Sequence, residues 1–168
     1  AAGDWEQAAV YARQVSHPMH EDEPLLPFNL TGWYETEALL RVGDSAAARA
    51  GVARLEKAVG ANRRYRLILL RSQAVLAQWD GDEAQAIRHL QAALALAQEI
   101  GLPGEAWPIL GELGRSYTAQ GKTVTARAAY TEAAAIVRRL TESIGEEDQR
   151  QRYWTAAPVQ YILQMTSK

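Results

Sequence analysis

Three regularities predict an all-α array of antiparallel helix hairpins. Glycine recurs at Gly3, Gly43, Gly81 and Gly121, spaced by 40, 38 and 40 residues, and an alanine follows each five residues later, at Ala8, Ala48, Ala86 and Ala126. Self-similarity at such a period marks a repeat whose single unit cannot bury its apolar face without a neighbour. After each glycine the buried-type residues run four, three and four apart, which places them on one stripe of an α-helix. Composition agrees, since 31 alanines against one phenylalanine favour helix over strand.

Taken in chain order, the first stripe is Ala8, Ala12, Val15 and Met19, the second helix of a partial repeat over 3–19. His17 to Pro27 follows as an acidic, proline-containing connector longer than the other links. The repeat over 28–60 opens with a helix from Phe28 to Val42, supplying Leu30, Trp33, Leu39 and Leu40, and closes with the stripe Ala48, Val52, Leu55 and Val59. The repeat over 65–101 pairs a helix from about Tyr65 to Gln78, with Leu69, Leu70, Ala74 and Ala77 on one face, with Ala86, Leu90, Ala93, Ala97 and Ile100. The repeat over 105–140 pairs Leu110, Leu113, Gly114 and Tyr117 with Ala126, Tyr130, Ala133, Val137 and Leu140. Alanine at the head of every stripe lets a neighbouring helix backbone come close.

The turns inside the hairpins are Val42-Gly43-Asp44, Asp80-Gly81-Asp82 and Gln120-Gly121-Lys122. Glycine suits the left-handed residue that ends one helix, and Asp44 or Asp82 can accept backbone N–H bonds at the start of the next. After Leu140 the pattern changes. A turn at Gly145 to Asp148, a short helix to about Thr155 and a last helix with Pro158 in its first turn make up a cap over 147–165. Tyr153, Trp154, Val159, Ile162 and Leu163 are expected to cover the open end of the array, because a terminal unit has no next repeat to bury its outer face.

These positions resemble a tetratricopeptide repeat array. The last unit matches best, with Leu113, Gly114, Tyr117, Gly121, Ala126, Tyr130 and Ala133 where that family has its small and aromatic packing residues. The unit around Gly81 keeps Ala74, Ala86, Leu90 and Ala93, and the unit around Gly43 keeps Ala48, Val52 and Leu55 but has Glu35 and Thr36 in its first helix. The period departs from the family's usual repeat of about 34 residues, and no proline closes each unit. The resemblance covers about residues 3–140. It implies a right-handed superhelical array with a C-terminal capping helix, a single domain over 1–168. The longer helices are similar to arrays in large bacterial regulators, such as maltose-regulator-like activators and signalling ATPases. The chain lacks an initiator methionine and starts at a second helix, so it is read as a piece of a longer protein.

Composition excludes several function classes. A net charge of −2, with acidic and basic residues interspersed, offers no electrostatic footprint for nucleic acid or an anionic membrane. Absence of cysteine removes disulfides, thiolate chemistry and cysteine metal sites. No apolar run approaches the roughly 18 residues that span a bilayer, and no signal peptide is visible, so a cytoplasmic location is expected. Gly121-Lys122-Thr123 imitates the end of a phosphate-binding loop, but Ser116 stands where that loop needs its first glycine. His17 and His20 beside Glu21, Asp22 and Glu23 could bind a metal but read as a solvated loop, and Asp80, Asp82 and Glu83 read as carboxylates at a helix start. His89 stands alone on its helix. No nucleophile elbow or other local signature marks a catalytic site, so no enzyme, metal or cofactor is expected.

What remains is a surface for a partner. The resemblance implies that the first helix of each hairpin lines an inner groove. By helical phase the candidates there are Trp33, Glu37 and Arg41, then Arg71, Val75, Gln78 and Trp79, then Arg115 and Thr118. Tryptophan and arginine carry much of the energy where they occur at interfaces, and a groove holding both suits an extended or helical peptide with acidic and apolar side chains. The family's clamp for chaperone C-terminal carboxylates uses lysine and asparagine where this chain has Trp33, Glu37, Arg71, Val75, Gly111 and Arg115, so that activity is not implied. The function expected is therefore a non-catalytic scaffold for protein–protein interaction within a larger bacterial regulatory or signalling protein, its partner a peptide or another domain of that parent. The alternative is a structural segment through which the parent associates with itself as a homodimer.

Overall fold

The computed structural model describes residues 4–15 and 32–166. Among these residues there are nine helices and no strand: α1 (Trp5–Val15), α2 (Trp33–Arg41), α3 (Ser45–Val59), α4 (Arg63–Trp79), α5 (Glu83–Glu99), α6 (Pro103–Ala119), α7 (Thr123–Ser143), α8 (Glu147–Thr155) and α9 (Ala157–Met165). The chain divides into two compact units, Ala1–Ala93 and Leu94–Lys168, with the break inside α5. The acidic connector and its two histidines lie outside the described residues, as do Met19, Phe28 and Leu30.

The turns are built as the glycine spacing requires. Gly43, Gly81 and Gly121 take φ of 82°, 78° and 71°, a region that residues with a Cβ rarely adopt. At each, the glycine N–H and the next N–H reach back to carbonyls of the helix just ended, as in Gly43 N–H to Leu40 (2.9 Å) and Asp44 N–H to Leu39 (2.9 Å). Asp44 Oδ1 accepts from Ala47 N–H at 3.2 Å and Asp82 Oδ1 from Gln85 N–H at 2.8 Å, starting α3 and α5. Asn62 starts α4 in the same way, accepting from Arg64 and Tyr65. A helix that turns back within three residues and packs on its neighbour runs antiparallel to it, as α2 does with α3 and α6 with α7.

Unit Ala1–Ala93 has two adjoining cores. Ala9, Ala12, Leu39, Leu40 and Ala48 form one, and Val52, Leu55, Val59 and Leu69 the other, with Leu76 packed against both. In unit Leu94–Lys168, Ile109, Leu110 and Leu113 of α6 are buried, as are Tyr130, Ala133, Ala134 and Val137 of α7 and Val159 and Ile162 of α9. Helix α7 packs on α6, α8 and α9. Gly114 is required by the α6–α7 contact, because a Cβ there would lie 2.6 Å from the Tyr130 ring.

Two expectations are corrected. The first helix of repeat 28–60 starts at Trp33 and not at Phe28, because Gly32 has φ 63° and ψ −131°, outside the helical region. In α1 the fully buried residue is Ala9, while Ala8 is only half-buried. The other three lead alanines, Ala48, Ala86 and Ala126, are all buried.

Candidate functional site

The nine candidate residues fall in both units, and each group stands on its own. In unit Ala1–Ala93, α2 and α4 pack side by side. The repeat period places Trp33 and Arg71 at equivalent positions of these two helices, and the Arg71 guanidinium lies 4.0 Å from the centroid of the Trp33 ring. Such a stack joins the negative face of the indole to a cation. It also removes Arg71 from the surface. Arg71 is only 2% exposed, so the expectation that it faces a partner is corrected: it is a packing residue between consecutive first helices. Trp33 is half-buried over it, with the exposed Tyr34 ring beside it at 3.5 Å between centroids.

Further along the same helices the surface opens. Glu37 Oε1 accepts from Arg41 Nε (3.0 Å) and Nη2 (2.8 Å), an i to i+4 pair that both residues leave partly exposed. Arg41 also lies 4.4 Å from the centroid of Trp5 on α1. This contact spans 36 positions of sequence and no spacing rule signals it. On α4, Val75 is half-buried against the first core, Gln78 is exposed, and Trp79 is 52% exposed at the helix end. Trp79 occupies on α4 the repeat position that Arg41 occupies on α2. An exposed indole and a guanidinium held by a carboxylate therefore mark equivalent rows of adjacent helices.

Both aspartates of the acidic cluster at the α4–α5 turn are committed to structure. Asp80 Oδ1 pairs with Arg49 Nη2 at 2.5 Å and Asp82 caps α5. An analogous pair joins Arg13 of α1 to Asp44 at 3.0 Å, and the Arg13 bond, with the Ala47 N–H, holds the Asp44 carboxyl below its ordinary value. His89 meets Gln85 at 2.8 Å, and partial burial lowers its pKa. Among the described residues no group of three His, Cys, Asp or Glu side chains could hold a metal ion, and no helix is long and apolar enough to cross a membrane.

In unit Leu94–Lys168, Thr118 is exposed and its hydroxyl donates to the Gly114 carbonyl at 2.8 Å. Arg115 is exposed, with its guanidinium 6.0 Å from the centroid of the Tyr161 ring on α9. The Tyr161 hydroxyl is 3.3 Å from that of Tyr130, and the two rings meet edge to face at 6.2 Å. Burial and this hydrogen bond push the Tyr130 hydroxyl up to about 12, so it stays a neutral donor or acceptor. Tyr161 was not among the residues expected to cover the array end. Its neighbours Val159 and Ile162 were, and both are buried, Ile162 against Gly111 of α6, with Tyr153, Trp154 and Leu163 half-buried.

Turn glycines in the left-handed region and small residues at helix contacts run through α4 to α7, with Asn62 and Asp82 capping α4 and α5. Over 65–139 the sequence matches the family model described as tetratricopeptide repeat. Residues 65–139 are tetratricopeptide repeats. Comparison with curated proteins gives no match, and comparison with solved structures gives none. Tetratricopeptide repeats mediate protein–protein interaction, generally through the extended surfaces that stacked repeats create.

Proposed function

We propose that the chain is a non-catalytic docking module of a larger, cytoplasmic, bacterial regulatory or signalling protein, and that it binds a peptide or a domain of its parent on the first-helix faces of its repeats. The observation that carries this reading is Trp79, 52% exposed at the end of α4. Tryptophan is among the residue types that most often anchor an interface, and a partner covering this indole would bury a large apolar surface. Gln78 beside it and the Arg41–Glu37 pair on α2 supply hydrogen-bonding and charged rims around that anchor. A helix or extended segment with apolar and acidic side chains complements this set.

The test titrates fluorescein-labelled peptides, tiled from the other domains of the parent, with the chain and follows their anisotropy. Trp79→Ala is expected to weaken the bound peptide by at least about tenfold, the loss typical of a buried anchor, and Arg41→Glu to weaken it further for acidic peptides. Unchanged affinity in both variants rejects the assignment. Light scattering after size exclusion separates the alternative: a stable dimer at micromolar concentration, lost in Trp79→Ala, assigns the same face to self-association.

A further inference from the structure

In unit Leu94–Lys168 part of the α6 face, at Gly111 and beside Arg115, is covered by the chain's own helix α9. Gly111 has no side chain, and a Cβ built there would lie 2.7 Å from Ile162 Cδ1, so Ile162 fills the notch that the glycine leaves. One turn further along α6, Arg115 faces the Tyr161 ring, which also reaches Tyr130 of α7. Of the nine residues of α9, Val159 and Ile162 alone are buried. Helix α8, which tethers it through Ala156, buries none. Two aliphatic anchors must therefore hold nine ordered residues on a strap with little core of its own. Such an element belongs to the low-stability end of a fold, where local opening precedes global unfolding.

We infer that the α6–α7 face bearing Gly111 and Arg115 is a docking site for a short amphipathic helix, and that α9 is its displaceable occupant in cis. The ligand chemistry is written in α9: an aliphatic side chain for the Gly111 notch, an aromatic ring next to it for Arg115, and a second aliphatic residue one turn away. A partner helix of this pattern competes with a tethered copy at high effective concentration, so the site stays closed to weak ligands and opens to strong ones. This inference rests on the docking-module reading only in placing partners on first helices, and it uses none of the α2–α4 residues.

The experiment uses the full chain and, as probe, a fluorescein-labelled synthetic peptide of residues 156–166 read by anisotropy. Ile162→Asp in the protein is expected to raise peptide affinity at least about tenfold by releasing the tethered competitor. Adding Gly111→Leu, which fills the notch, is expected to abolish that gain. A folded Ile162→Asp chain that binds the peptide no better than wild type overturns the proposal, as does binding that survives Gly111→Leu. Should Ile162→Asp fail to fold, hydrogen exchange on the wild type decides: amides of α9 at least about tenfold faster than those of α7 support a displaceable helix, and equal protection overturns it. Trp79→Ala leaves this titration unchanged, so failure here and failure of the α2–α4 face are read separately.

Discussion

Arginine side chains that look alike in the sequence have different physical roles. Arg71 and Arg115 both sit on first helices, yet Arg71 is 2% exposed under the Trp33 ring and Arg115 is exposed beside Tyr161. Arg71→Glu would set a carboxylate against the negative face of an indole with no water to solvate it, and is expected to cost about 3 kcal/mol or more in urea unfolding. Arg115→Glu is expected to change stability by no more than about 0.5 kcal/mol, as at ordinary surface sites. Equal losses would show that the two environments are not distinct. Asp44 allows a pH test. Its folded pKa is depressed, so its contribution is fully present above the ordinary carboxylate value of 3.8 and is lost as pH falls through the lower folded value. Asp44→Asn is therefore expected to melt below wild type at pH 7 and together with it near pH 2. A gap that persists in acid would mean that the Arg13 pair is not its source.

At the scale of helices, the small residues set how closely neighbours approach. Ala86 is fully buried and Ala126 nearly so, leaving no room for a longer side chain. Replacing either by leucine is expected to cost about 1–3 kcal/mol, the range for overpacking a filled core. Gly114→Ala is expected to cost a similar amount, since the added methyl meets the Tyr130 ring. Thermal melts followed by circular dichroism measure all three, and wild-type stability in any of them would mean that the contact has slack. Helix α2 illustrates how one residue can override a pattern. The apolar phase continues back to Phe28, but Gly32 leaves the helical region, and a Cβ there would collide with the Ile68 side chain.

For the molecule as a whole, the two units differ in how they finish. Unit Leu94–Lys168 closes on itself through α9, which packs on α7 and sets Ile162 against Gly111 of α6. Deleting residues 149–168 removes Val159 and Ile162 and is expected to lower the melting temperature by roughly 2–6 °C and to promote association through the uncovered face. An unchanged melting temperature with monodisperse behaviour would mean that the tail is no cap. Unit Ala1–Ala93 instead leaves Trp79 half-exposed at the end of α4.

The all-α class, the hairpin turns and the buried stripes of α3, α5 and α7 were legible in the sequence, because each follows from local rules: a 3.6-residue period, left-handed glycine after a helix, an aspartate cap. The capping helix was legible too, from Pro158 and the break in the repeat. The fates of the candidate site residues were not. Helical phase puts Arg71 and Arg115 on the same side of their helices, and only the neighbour decides that Trp33 buries one while Tyr161 flanks the other. Contacts such as Arg41 with Trp5 or Ile162 with Gly111 join residues far apart in the chain, and no periodicity encodes which side chain arrives there. Local chemistry determines which segments are helices and which stripe each buries. Tertiary packing alone decides which polar and aromatic residues remain in water to meet a partner.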